Sequence, residues 1–315
     1  MPAPLPAPNF DAGAAYPEVN DLRKALRAAD WPAVRAFVAD RDPDARTMLV
    51  GAVADWAGIE AFLQRAYDDN PEDPHAGTLL GAYLIRAGWR IRSSYRAEHV
   101  SREQFAKFHD HLRRSERVLI DVTARHPDDA TAWTHRITNN RGLQLGQAEA
   151  RRRYDRLAQH HPHHVPAQSS LLQQFCPKWS GDWDRAFGFA RECAEAAPPG
   201  APNAVLIAEA HLERWLEFDT ERERTTYLRS SAVVDEIMRA GQRSVLHPDF
   251  VDRPGWVSVR SAFALIFSLT EQWGPAASQF TALGGLGTDY PWDYVDGPPG
   301  FTKYRAKAYA KGGQS

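Results

Sequence analysis

Cysteine is scarce in this chain: two residues, Cys176 and Cys193, among 315. They are far apart and form no C-x-x-C pair, which excludes a disulfide framework and a cysteine-based zinc site. Both are expected to be small buried thiols. An excess of one charge sign is missing too. Lys and Arg number 38 against 40 Asp and Glu, a formal charge of -2. Such a chain has no strong long-range field, so neither nucleic acid nor an anionic membrane is expected as a partner. Long hydrophobic runs are absent; the longest, 262–267, is far short of the roughly 20 apolar residues that span a bilayer. The first residues, Met-Pro-Ala-Pro-Leu-Pro-Ala-Pro, lack the basic and apolar blocks of a secretion signal. Residues 1–17 therefore read as a flexible Pro/Ala-rich tail, and a cytoplasmic location is expected. Alternating β-branched stretches bounded by hairpin turns are wanting as well.

What is present is helical. The hydrophobic fraction is 43% and the charged fraction 25%, as in globular proteins. Apolar residues recur at spacings of three and four: Leu22, Leu26 and Ala29; Val34, Phe37 and Val38; Val118, Leu119 and Val122; Tyr227, Val234, Ile237 and Met238. Ser101 with Gln104 and Thr220 with Glu223 fit capping boxes. Asp182 is placed to cap a helix from Trp183, and Gly241 to end a helix over 222–240. The fold class expected is all-α.

Repetition refines this. Asn70-Pro71-Glu72-Asp73, His126-Pro127-Asp128-Asp129, His161-Pro162-His163-His164 and Pro198-Pro199-Gly200 each separate two helical stretches. The last three turns stand about 35 residues apart, close to the roughly 34-residue period of tetratricopeptide (TPR) hairpins. The step from Pro71 to Pro127 is longer by about two-thirds of a repeat, which places an insertion near 89–104. A second echo is Trp-x-x-small followed by Phe: Trp31 to Phe37, Trp56 to Phe62, Trp183 to Phe189 and, more loosely, Trp273 to Phe280. Each hairpin cannot bury its apolar stripe alone and stacks to do so. The expectation is a TPR-like array of antiparallel hairpins, an α-solenoid with a right-handed superhelix, over 18–283. Residues 284–315, with Asp289-Tyr290-Pro291-Trp292-Asp293-Tyr294 and a basic helix from about 301 to 311, read as an aromatic loop and a capping helix.

Pro177-Lys178-Trp179-Ser180-Gly181 followed by Phe189-Ala190-Arg191 is similar to the Lys-Trp-Gly-Gly-Ser … Phe-Ala-Arg stretch of a bacterial TPR-like domain family of unknown function. Ala82-Tyr83-Leu84-Ile85-Arg86-Ala87-Gly88-Trp89 resembles that family's other marked segment. The resemblance covers roughly residues 70–195. It departs at Ser180, where a first Gly is usual, and at Asp182, where a Ser is. It implies the fold and no activity.

Candidate chemistry is sparse. No G-x-S-x-G or H-E-x-x-H occurs, and Gly284-Gly285-Leu286-Gly287 lacks the Lys-Ser/Thr of a phosphate loop. His160, His161, His163 and His164 crowd one turn, but no neighbouring acid or thiol completes a spaced ligand set, so no metal is expected. No cofactor is expected either. Catalytic residues are unassigned and the balance leans away from an enzyme. In a TPR-like array the first helix of each hairpin lines the concave face. Counting on from each turn selects Tyr83, Asn139, Gln174 and His211, with Arg86, His135 and Lys178 beside them. Amide, imidazole, phenol and cationic groups together suit a protein or peptide partner through a carboxylate or acidic segment. The plain alternative is a solvated face with interhelical hydrogen bonds. The second candidate is Trp89-Arg90-Ile91-Arg92-Ser93-Ser94-Tyr95-Arg96. Its arginines either bind an acidic group or pair with Glu72, Asp73 or Glu98. With Lys178 and Trp179 it defines the competing reading, a small-molecule or enzyme pocket between 89–96 and 177–183.

Overall fold

The computed structural model describes residues 5–92 and 101–312, and within them the chain is helical, with no strand. The helices are α1 (Ala12–Ala15), α2 (Glu18–Arg27), α3 (Trp31–Ala39), α4 (Pro43–Ala54), α5 (Glu60–Asp69), α6 (Pro74–Arg92), α7 (Arg102–Arg125), α8 (Ala130–Leu143), α9 (Gln147–Ala158) and α10 (Val165–Phe175). They continue with α11 (Trp183–Ala196), α12 (Val205–Leu216), α13 (Glu221–Leu228), α14 (Ser231–Arg243), α15 (Trp256–Leu269), α16 (Trp273–Leu283), α17 (Asp289–Trp292) and α18 (Gly297–Gly312). Contacts divide the chain into two compact units. One is Pro17–Gln174; the other joins Phe175–Ser315 to the segment ending at Tyr16.

Caps place the helix starts where polar side chains can take orphan N–H groups. Asp30, Asp129 and Asp182 each accept from the backbone three residues on, and both expected capping boxes form, at Ser101/Gln104 and Thr220/Glu223. Trp31, Trp183 and Trp273 open α3, α11 and α16. Trp56 does not open a helix: Asp55 closes α4 and α5 begins at Glu60. The single helix expected over 222–240 is two, α13 and α14, and Gly241 lies inside α14 rather than after it. Its role is close approach, since a Cβ there would stand 2.5 Å from the Phe267 ring.

In the Pro17–Gln174 unit, α6 lies along α7, and α7 along α8. Gly77, Gly81 and Gly88 share the α6 face turned to α7, and a Cβ on Gly81 would stand 2.5 Å from Leu119. Bare backbone there lets Ser115 Oγ donate to the Gly81 carbonyl at 2.8 Å. Beside this seam Glu116 accepts from Arg153 at 2.9 Å, from Arg136 at 3.1 Å and from Asn139 Nδ2 at 3.0 Å. Arg153 also bonds Glu149 at 2.7 Å and the Arg136 carbonyl at 2.6 Å.

In the other unit α12 and α15 are the buried helices. Val205–Leu216 packs against α11, α13, α14 and α15, and the 262–267 run is fully buried, flanked by α16. The expected C-terminal helix forms but starts earlier, at Gly297. Pro298 and Pro299 fall in its first turn, where no N–H is needed. Trp292 is buried against Phe280 and Phe301. Residues 5–16, read above as part of a solvated tail, run beside the 284–287 turn. Asn9 N–H donates to the Gly285 carbonyl at 2.7 Å, and Arg305 Nη2 to the Pro6 carbonyl at 2.7 Å.

Glu116 holds two guanidinium groups whose side chains are only 9% and 3% exposed. Glu116→Ala leaves both buried without their shared anion. The expected loss is about 3–5 kcal/mol in urea unfolding, whereas Arg151→Ala, which breaks the exposed pair with Asp155, costs under about 0.5 kcal/mol.

Candidate functional site

The sequence-selected residues separate by unit. Tyr83, Arg86, Trp89, Arg90, Arg92, His135, Asn139 and Gln174 belong to Pro17–Gln174, and Lys178, Trp179 and His211 to the other. Tyr83 is buried, its hydroxyl accepting from Gly58 N–H at 3.2 Å under the Arg90 guanidinium. Arg90 Nη1 donates to the Ala54 carbonyl at 3.1 Å and Arg86 pairs with Asp55 at 2.8 Å. Arg92 lies over Trp89, whose ring meets Phe108 edge-on. Of the three expected acid partners, Glu72 pairs with Arg125 and Asp73 with Arg35. Ser93, Ser94, Tyr95, Arg96 and Glu98 lie outside the described residues, as does half of the expected insertion.

Asn139 is fully buried; besides Glu116, its Nδ2 donates to the Leu112 carbonyl at 3.0 Å. Gln174 accepts from Asn140 Nδ2 at 2.9 Å. His135 has a buried Nε2 without a hydrogen-bond partner. Burial, then the charges of Arg86 and His164, hold its pKa down to about 4. Of the clustered histidines, His164 is buried beside Asp44, 2.7 Å away though not aligned as a hydrogen bond, and 3.2 Å from Thr47 Oγ1. His161 Nε2 donates to the Asp128 carbonyl at 2.9 Å. Among the described residues no group of three or more His, Cys, Asp or Glu is placed to hold a metal. No described helix is long and apolar enough to cross a membrane.

The chemistry concentrates on α12, where Glu209, His211 and Glu213 are all buried. Glu209 and Glu213, four apart, share one face; His211 projects from another. On the first face, Glu213 accepts from Lys178 Nζ at 2.5 Å and from the Tyr294 hydroxyl at 2.7 Å. Lys178 reaches in from the 3₁₀ turn Pro177–Trp179; its side chain is 42% exposed and that of Glu213 only 2%. The Tyr290 and Tyr294 rings meet edge-on at 5.5 Å. The Tyr290 hydroxyl is buried with no hydrogen-bond partner. Burial and then the charges of Glu209, Tyr294 and Glu213 push its pKa well up. Burial and Glu213 do the same for Tyr294.

On the second face, His211 Nδ1 stands 2.6 Å from the Tyr227 hydroxyl and Nε2 stands 3.2 Å from Glu236 Oε2. Arg191 also donates to both Glu236 oxygens, at 2.6 and 3.2 Å. Hydrogen bonds from His211, and then from Arg191, hold Glu236 down to about 2. Burial lowers the His211 pKa. The neutral ring therefore donates from Nε2 to Glu236 and accepts the phenol proton at Nδ1.

Sequence reasoning selected Lys178 and His211 but missed Glu209, Glu213, Tyr227 and Glu236. The readable signal was a Glu-x-x-x-Glu pair inside the apolar segment Val205-Leu206-Ile207-Ala208 … Leu212. The aromatic loop was noted, but nothing local joins Tyr290 and Tyr294 to residues some eighty positions earlier. No family model matches the chain, and no curated protein does.

Ser180 closes the 3₁₀ turn that carries Lys178. That residue sits at φ 66°, in the left-handed region that Gly favours. Ser180→Gly is expected to stabilise by about 1 kcal/mol. Gly181→Ala is expected to do the reverse, because its Cβ would strike the Phe175 carbonyl; urea midpoints of the two variants check both. His135 sets a pH dependence. As pH falls, the unfolded ring takes its proton near 6.5 and the folded ring only near 4, so stability is lost across that window. His135→Gln flattens the melting temperature against pH between 6.5 and 4.

Proposed function

We propose that the protein is a ligand-binding module built from TPR-like hairpins stacked in the right-handed sense within each unit, and that it takes a protein or peptide. What supports the architecture is the alternation of paired helices with Pro-marked turns: α5 on α6, α7 on α8 and α11 on α12 pack as neighbours across the turns at Pro71, Pro127 and Pro198. The resemblance to the bacterial family of unknown function agrees with this reading.

The ligand seat assigned here is the Glu209–Glu213 face of α12 with Lys178, Tyr290 and Tyr294. One observation carries it: a buried hydroxyl without a partner lies within electrostatic reach of two glutamates, one of which is covered by a half-exposed lysine. Packing alone gives no reason to bury such a group, which costs about 1–3 kcal/mol unsatisfied. The concave-face residues chosen from sequence contribute less. Asn139 donates to the Leu112 carbonyl and Gln174 accepts from Asn140, both inside their own unit.

The test is an array of immobilised random dodecapeptides. Wild-type protein is expected to retain a defined subset. Glu209→Gln/Glu213→Gln, with an unchanged far-UV circular dichroism spectrum, is expected to retain it at least tenfold more weakly. Equal retention by both proteins moves the seat elsewhere, and no retention by the wild type defeats the binding-module reading.

A further inference from the structure

We infer that the Glu213 seat recognises a primary ammonium group, the end of a lysine side chain or of an alkylamine, and that Lys178 is its resident stand-in. The inference rests on reading this cluster as the ligand seat, and it names what the seat takes. Glu213 is almost wholly enclosed, yet the group covering its Oε2 is an ammonium on a flexible stem that is 42% exposed. The site thus already binds an ammonium, and the one it binds is tethered loosely enough to leave. Lysine loses up to about 2 kcal/mol of side-chain entropy when held in one geometry. Swinging it back into water recovers that.

An incoming ammonium has a bond available that Lys178 does not make. An ammonium carries three N–H donors. Lys178 spends one on Glu213 at 2.5 Å, while the Tyr290 oxygen accepts from nothing. A ligand nitrogen seated deeper can keep Glu213 and add the Tyr290 oxygen. The Tyr290 and Tyr294 rings meet edge-on at 5.5 Å, and cations bind favourably against aromatic faces. Tyr294 already donates its proton to the other Glu213 oxygen, so the carboxylate is held in place whether or not Lys178 occupies it. The chemistry selects charge together with N–H donors. A primary amine fits, whereas an alcohol of the same length lacks the charge and a quaternary ammonium lacks the donors.

Chemical rescue tests this without any peptide. Lys178→Ala vacates the seat and is expected to melt below wild type. n-Butylamine, protonated at pH 7, should raise its melting temperature saturably, by about 3 °C at ten times the half-saturating concentration. 1-Butanol and tetramethylammonium should not. Wild type should need at least tenfold more amine, and Lys178→Ala/Glu213→Gln should not respond. If Lys178→Ala does not fold, Lys178→Met with methylammonium replaces it. Nα-acetyl-lysine methylamide in parallel separates the sources: tighter binding than n-butylamine marks a peptide lysine, and the reverse a free amine. Absence of rescue, or an equal shift in the Glu213→Gln background, overturns the inference. Glutamate-dependent peptide retention on the array without amine rescue would leave the binding module standing and remove only its cation selectivity. Rescue without peptide retention would do the opposite.

Discussion

Three ionisable side chains on one enclosed helix govern the Phe175–Ser315 unit. α12 is buried along nearly its whole length, and Glu209, His211 and Glu213 fall on it within little more than one turn. A carboxylate left alone in such surroundings would cost several kcal/mol. The surrounding elements are accordingly those that can supply partners. Lys178 comes from the 177–179 turn and Tyr294 from the 293–295 turn; Tyr227 comes from α13 and Glu236 from α14. The same requirement orders the aromatic segment before α18, because Tyr294 can donate to Glu213 only if the chain folds back over α12. His211 then passes the requirement on: its neutral ring needs an acceptor for Nε2–H, and Glu236, already clamped by Arg191, provides it.

The Glu116 network in the other unit meets the same physics with a different result. There two arginines converge on one glutamate while Glu149 takes up the surplus, and Asn139 joins Arg153 on the second Glu116 oxygen. The groups arrive from α7, α8 and α9, so the network fixes how those helices lie against one another. The exposed ends are few and the charges balance locally. Such a network specifies packing. The α12 face differs in being met by a half-exposed lysine and by one phenol that uses neither its proton nor its lone pairs. Buried ion pairs are poor stabilisers compared with apolar packing of the same volume.

The helical periodicity, both capping boxes and the Asp182 cap are legible in the sequence because they depend on residues within one turn of each other. The errors occur where the deciding partner is distant. Gly241 has the composition of a helix end, but the chain continues through it because the Phe267 ring needs the space a Cβ would fill. Asp55-Trp56 has the same local form as Asp30-Trp31 and Asp182-Trp183, yet it terminates α4; the Tyr83 hydroxyl and the Arg90 guanidinium hold the 54–58 turn from outside. Local form alone does not distinguish a cap that starts a helix from one that ends the helix before it.

The site follows the same rule in a sharper form. Counting on from the Pro199 turn picks out His211, and Lys178 lies beside the residues so counted, but that rule weighs position and not burial. Glu209 and Glu213 carry more information: in a segment that, Glu209 and His211 apart, is composed of Val, Leu, Ile and Ala from Val205 to Leu212, two acids at helical spacing are tolerated only if cations or phenols meet them. That inference needs no alignment, only the premise that buried charge is partnered. What the premise leaves unspecified is the partner's address. The 293–295 turn lies some eighty residues away, and nothing short of the folded chain connects it to α12. The orphaned Tyr290 hydroxyl is further still from sequence reasoning, since it is defined by a bond that the protein itself does not make.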